Sequence, residues 1–465
     1  MTKYFNVKTD KSPLSYKAGE KMVFSVRLME NHCPIACRSF KWEWCSDDGN
    51  RKEGIGSSVL SEPFTIEASC NRPGFVHLMV WALLPNGEVD GTVDVLDAGA
   101  GADVDKIEYH GKHPADFREY WENIEKIISD FTPELLLKTE YTKDVPDDLL
   151  CYDFRVSTPF GLPASGYLTV PKKEGKYPIH VGYLGYSVVG ASPGFNHGVI
   201  TLNVNAHGIE NGFPTEVCEE KYPHLVGYGF NEEENKRPET SYWQNMIVRD
   251  LCALKFAKTL ENWDGQNIFC FGGSQGAFQA TAVAAHDKDV TFLSLGIPWF
   301  CDLRAEENGY MNGWRPKPMD GLDYFDTVAS GGLLKCPVKI DARLGDYCCP
   351  PSTVMALYNN IKTKKSIVFT QSGTHGYRPI EIENSYLSFN PENPSGEIKL
   401  GKYRHYKGGE YEVIAVSKNS ETLEAEVVYK ALYGDGEIWT RPARMWDESV
   451  ITNEGLVTRF TYVGD

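Results

Sequence analysis

The chain has 465 residues, 42% of them hydrophobic and 24% charged, a globular composition with length for about two to four domains. Its 47 basic and 64 acidic side chains leave a net charge of −17 at pH 7, which repels phosphate backbones and argues against nucleic acid as a partner. No uncharged apolar run reaches the length of about 18 residues that a membrane-spanning helix needs, so no membrane partner is expected.

Met1–Lys8 lacks the apolar core of a secretory signal. We expect the cytoplasm, or secretion only if a leader was removed before this numbering begins. Of the 12 cysteines, Cys252, Cys270 and Cys301 lie in apolar runs, where buried reduced thiols are expected. The spacing of Cys33, Cys37 and Cys45 matches no common zinc pattern. No metal is expected there.

Residues 1–96 read as all-β. Phe24, Val26 and Leu28 alternate with polar residues, as do Phe40, Trp42 and Trp44. That period of two suits strands with one buried face, and their spacing predicts an immunoglobulin-like β-sandwich. The small residues of Asp97–Asp103 predict a flexible linker.

From about 105 to 385 strands and helices alternate. A helix opens near His113, with Phe117, Tyr120, Trp121, Ile124 and Ile128 on one stripe. Buried strands are expected at 178–183, 198–204, 267–271, 291–297 and 337–344, and a helix at 241–258. The alternation predicts an α/β domain with a mostly parallel sheet covered on both faces. After Pro394-Ser395-Gly396 the chain becomes dense in β-formers. Residues 400–465 predict a small SH3-like β-barrel domain.

The strongest local signal is Gly272-Gly273-Ser274-Gln275-Gly276, between an apolar strand and a small-residue helix, Ala277–His286. A sharp strand-to-helix turn presents the serine, and the flanking glycines leave room for the turn. The helix start sets a backbone N–H beside a developing oxyanion. A serine needs a base and an orienting carboxylate, in this fold in the order Ser, Asp or Glu, His. His375 follows the strand Ile367–Thr370 in a Gly-flanked loop and is the expected base, whereas His405 belongs to the C-terminal segment and is expected at the surface. Asp346 follows the strand ending at Leu344 and is the expected acid; Asp341 lies inside that strand. The backbone N–H groups of Tyr183 and Gln275 are the expected oxyanion hole.

These residues resemble the acetyl xylan esterase and cephalosporin C deacetylase family, carbohydrate esterase family seven. The resemblance rests on Pro114-Ala-Asp-Phe117, Gly182-Tyr183, Gly272–Gly276, Tyr324-Phe-Asp326 and Cys349-Pro-Pro-Ser-Thr353. It implies an α/β-hydrolase core and a serine esterase that removes small acyl groups, chiefly acetyl, from xylo-oligosaccharides and cephalosporins. Ser274, Asp346 and His375 would be the triad and Tyr183 and Gln275 the oxyanion amides, with no cofactor. The family often forms closed rings, so a homo-oligomer is an open expectation. Asn205-Ala206-His207 stands where the family usually shows Arg-Gly-Gln, and Gly376 where it shows Glu. The C-terminal Tyr403-Arg-His-Tyr-Lys407, Ser420–Glu424, Val427-Val-Tyr429 and Trp439-x-Arg-Pro442 resemble a family of short uncharacterised bacterial domains.

The expectation is therefore a serine carboxylesterase acting on a small-molecule acetylated carbohydrate. The alternatives are a serine peptidase, a general short-chain acyl esterase, or a catalytically silent carbohydrate-binding protein. Tyr186, His207, Trp299 and Tyr347 are placed by position as substrate contacts.

Overall fold

A computed structural model describes residues 3–59, 62–377, 386–391, 393, 397–420, 425–446, 448–452 and 455–464. Residues 394–396, where the sequence changes character, and residues 421–424 of the C-terminal pattern lie outside these.

The N-terminal region forms two four-stranded sheets. One contains Lys3–Thr9, Met22–Glu30, Cys33–Ile35 and Phe64–Ala68; the other contains Cys37–Ser46, Arg51–Ser58, Gly74–Ala82 and Leu96–Ala102. Their alternation is that of half-buried strands: Met22, Phe24, Val26 and Leu28 are buried and the residues between them less so. Phe24, Trp42, Trp44, Val76 and Leu78 share one core between the sheets.

The segment expected as a linker is a strand. Leu96–Ala102 pairs antiparallel with Gly74–Ala82 and is almost wholly buried. Its small residues permit close approach rather than flexibility: a Cβ on Gly99 would lie 2.8 Å from the Leu344 carbonyl oxygen.

The central sheet has ten strands. From one edge the order runs Leu135–Tyr141, Leu149–Val156, Ala164–Pro171, Ile200–Asn205, Tyr177–Tyr183, Trp263–Gly273, Phe292–Gly296, Val338–Arg343, Lys365–Thr370 and Tyr386–Phe389. From Ile200–Asn205 to Lys365–Thr370 every neighbour is parallel, whereas the pairings outside that block are antiparallel. The five strands expected from apolar runs form this parallel block together with Lys365–Thr370.

The helix Phe117–Asp130 buries Phe117, Tyr120, Trp121, Ile124 and Ile128, the stripe read from its sequence. Tyr242–Ala257, Gln275–His286 and Pro351–Asn360 are buried over most of their surface, as cover for a parallel sheet requires. Strand order, crossover and a serine turn after the sixth strand together make an α/β-hydrolase core.

The C-terminal region forms a five-stranded sheet of Gly401–His405, Glu410–Lys418, Ala425–Ala431, Ile438–Pro442 and Phe460–Gly464, with a hairpin of Ser449–Thr452 and Gly455–Thr458. Tyr403, Val413, Val427, Tyr429, Trp446 and Phe460 make its core. His405 is a strand residue whose ring packs on Phe460. No described helix is long and apolar enough to cross a membrane.

Candidate active site

Ser274 stands between the strand Trp263–Gly273 and the helix Gln275–His286 with φ 54° and ψ −121°, left-handed strain in a non-glycine residue. Backbone bonds hold it there: its N–H donates to the Gly296 carbonyl at 2.9 Å, and its carbonyl accepts from Ala277 at 2.9 Å and Trp299 at 3.3 Å. The two outer glycines of the motif are required by packing. A Cβ on Gly272 would lie 2.3 Å from the Gly276 carbonyl carbon, and one on Gly276 would lie 2.3 Å from the Tyr183 carbonyl oxygen.

Asp346 follows the strand Val338–Arg343 and is 1% exposed. Its Oδ1 accepts the N–H groups of Cys348 at 3.0 Å and Cys349 at 2.9 Å, and its Oδ2 lies 2.9 Å from Nδ1 of His375. The His375 loop is tied down by Arg343, which donates to the carbonyls of Thr374 and His375, and by the Gly345 N–H, which donates to Gly373 at 2.9 Å. The bond to Asp346, followed by that to Cys348, raises the His375 pKa above the ordinary histidine value despite partial burial.

Ser274, Asp346 and His375 thus follow three strands of one parallel block and stand at its carboxyl edge. Asp346 and His375 are hydrogen-bonded. Among the hydrogen bonds of the described residues none joins the Ser274 hydroxyl to His375; such contacts commonly tighten only when substrate is bound.

For the oxyanion, Gln275 is the first residue of a helix whose leading N–H groups have no intrahelical acceptor. Tyr183 is the last residue of its strand paired on both sides, with Val204 and Gly272, and leads into the turn Leu184–Tyr186.

Three residues expected to touch substrate are engaged elsewhere. His207 is 2% exposed, with Nδ1 2.5 Å from the Tyr242 hydroxyl and Nε2 2.8 Å from the Ser187 carbonyl. Burial drives its pKa down to about 4, so it is a neutral packing residue under the loop. Trp299 is 2% exposed and donates its indole N–H to the Trp314 carbonyl at 2.5 Å. Tyr347 stacks on His77 with ring centroids 3.8 Å apart and faces the N-terminal sheets. Tyr186 is half-buried, stacked on Tyr228 at 4.2 Å.

Trp314 was not legible from sequence. It is 44% exposed, meets the Tyr186 ring edge-on at 4.7 Å, and donates its backbone N–H to the Cys348 carbonyl at 3.1 Å. It lies in a stretch of turn residues without periodicity, so no pattern singles it out.

The N-terminal sheets brace both loops. Gln371 donates to the Gly99 carbonyl at 2.8 Å and accepts the Gly99 N–H at 3.0 Å. Tyr347, next to Asp346, rests on His77, itself 2.8 Å from Asp97. Buried Asp47 accepts N–H groups from Phe75 at 2.7 Å and Met311 at 2.9 Å, joining the two regions. Gln371→Ala is expected to lower kcat by about 10- to 100-fold through misplacement of the base loop. Steady-state rates beside a circular dichroism spectrum check this; unchanged turnover in a folded variant contradicts it.

Beneath the serine runs a buried polar chain. Tyr228 donates to Gln275 Oε1 at 2.6 Å, Gln275 donates to Gln279 Oε1 at 3.3 Å, and Gln279 donates to Asp250 at 2.9 Å. Burial raises the Asp250 pKa from 3.8 to about 8. The folded state therefore holds this proton across that interval while the unfolded chain has lost it, so stability falls as pH rises through it. Asp250→Asn removes the effect. The stability of the variant minus that of wild type is expected to climb from pH 5 to pH 9 in urea unfolding; a flat difference would refute the assignment.

Residues 103–308 and 314–392 match the family model "Acetyl xylan esterase (AXE1)", and residues 401–462 match "Protein of unknown function (DUF1653)". The acetyl esterase Axe7A of Xylanibacter ruminicola is 26% identical over 324 residues, 65% of this chain and 71% of that protein. Among solved structures, the acetyl xylan esterase from Paenibacillus sp. R4 is 21% identical, with 60% of this chain and 95% of that chain covered and a TM-score of 0.49. A DUF1653 protein from Bordetella bronchiseptica is 41% identical over 15% of this chain and 90% of its own, with a TM-score of 0.14. With more than half of its residues under one family model, this chain belongs to the acetyl xylan esterase family.

Proposed function

We propose that this protein is a serine esterase that removes acetyl groups from acetylated carbohydrates, with Ser274, His375 and Asp346 as its triad. The observation that carries the proposal is the strained serine turn on the same sheet edge as the His375–Asp346 pair. His375 takes the Ser274 proton as the oxygen attacks the acetyl carbonyl. Asp346 holds the proton on Nδ1, so Nε2 is the nitrogen that accepts. The oxyanion is met by the backbone N–H groups of Gln275 and Tyr183. His375 then protonates the departing sugar oxygen, and water attacks the acyl-enzyme with the same histidine as base, releasing acetate.

The half-exposed Trp314 beside Tyr186 supplies an apolar wall on which a sugar ring can lie. We divide the chain into an immunoglobulin-like sandwich at 1–96, a catalytic domain at 105–385 and an SH3-like barrel at 400–465. The paired N-terminal sheets around one core favour the first of these, though their last strand extends to Ala102. The twelve free cysteines suit a reducing compartment, and we place the protein in the cytoplasm.

The test is hydrolysis of p-nitrophenyl esters of increasing chain length, together with acetate release from acetylated xylo-oligosaccharides. Acetate is expected to be the preferred acyl group. A preference for butyrate or longer chains, or cleavage of peptide anilides instead, overturns the assignment.

A further inference from the structure

Two residues beyond the acid, the chain places adjacent thiols against the base. The sulfur atoms of Cys348 and Cys349 and one ring nitrogen of His375 all lie within 4.8 Å of one another. In a tetrahedral zinc site with two thiolates and an imidazole, such atoms stand about 3.5–3.8 Å apart. One shared ion requires the three atoms, now within 4.8 Å of one another, to close to that spacing.

Three further features fit such an ion. The turn that presents the thiols is fixed, because both backbone N–H groups are bonded to Asp346 Oδ1. Asp346 also holds His375 from behind through Nδ1, so an ion would take the other ring nitrogen, Nε2, in its unprotonated form. A carboxylate behind an imidazole is the arrangement that orients metal-bound histidines. Finally, a crevice with about 10 Å³ of room, lined in part by Cys348, Cys349, Trp299 and Trp314 though not by His375, opens on the thiol side. That is about the space one water-sized sphere takes. Two sulfurs and one nitrogen select a thiophilic cation over calcium or magnesium.

We propose that Cys348, Cys349 and His375 form an inhibitory site for a thiophilic divalent cation, with Zn²⁺ as the probe, whose occupancy switches the esterase off. Binding releases to solvent whichever protons the two sulfurs and the imidazole Nε2 carry, and forms two metal–sulfur bonds and one metal–nitrogen bond, with no change of oxidation state. A metal-bound Nε2 has no lone pair for the serine proton, so the base is lost while the ion stays. Removal of the ion restores it. The inhibition, though not the binding, rests on the triad proposed above.

Two readouts on the full chain separate binding from inhibition. Zn²⁺ titrated in competition with a chromophoric chelator is expected to show one equivalent bound, and Co²⁺ is expected to give the intense thiolate-to-metal absorption of a tetrahedral site. Both signals should vanish in Cys348→Ala and in the double variant with Cys349→Ala. In parallel, p-nitrophenyl acetate hydrolysis should fall with occupancy to near zero and recover with EDTA, whereas each variant keeps its own metal-free rate when Zn²⁺ is present. Stoichiometric binding that survives in the double variant, or full turnover at saturating Zn²⁺, overturns the proposal. If the protein hydrolyses no ester at all, the cobalt spectrum still decides whether the metal site exists.

Discussion

Ser274→Ala is expected to lower kcat on p-nitrophenyl acetate by about 10⁶-fold, the loss typical when a triad serine is removed. Nothing else at the turn offers a hydroxyl placed for attack, and alanine keeps the backbone bonds to Gly296, Ala277 and Trp299 that fix the site. The thermal transition should therefore stay close to that of wild type. Labelling by a fluorophosphonate gives an independent reading: one adduct on the native chain, mapped to Ser274, and none on the variant. A variant that retains more than a thousandth of the native rate would show that another nucleophile does the work.

The second large effect is expected at Asp346. Replacement by asparagine should cost about 10⁴-fold in kcat, as it does where a buried triad aspartate loses its charge. The carboxylate accepts three hydrogen bonds at once, two from the Cys348 and Cys349 amides and one from His375. An asparagine oxygen can still accept the amides. Its NH₂ group then faces Nδ1 and favours the tautomer with the proton on Nε2, the nitrogen that must receive the serine proton. Kinetics across pH together with a crystal structure of the variant check this. A loss below tenfold, with the loop unmoved, would reassign Asp346 to a purely structural part.

The serine turn was legible because its geometry is local: five consecutive residues between a strand and a helix carry its steric reason. The positions of Asp346 and His375 were legible because each follows an apolar strand of the same block. What escaped depends on packing between distant segments. Gly99 and its small neighbours look like a tether in one dimension, yet their lack of bulk admits the Leu344 carbonyl and the side chain of Gln371. His207, Trp299 and Tyr347 stand near strand ends, as pocket residues do, but contacts with Tyr242, Trp314 and His77 turn their polar or flat surfaces inward. The exposed strand Leu135–Tyr141 shows no alternation of burial, so the antiparallel flank of the central sheet gave no period to read.

The reciprocal bonds between Gln371 and Gly99 have a bearing on how this protein fails. Because the loops carrying Asp346 and His375 lean on a neighbouring body of the same chain, turnover is expected to report the integrity of that body as well as of the hydrolase core. Warming or a protease cut that opens the first hundred residues would silence hydrolysis while the ten-stranded sheet still stands. Catalysis here is a property of the joined pair.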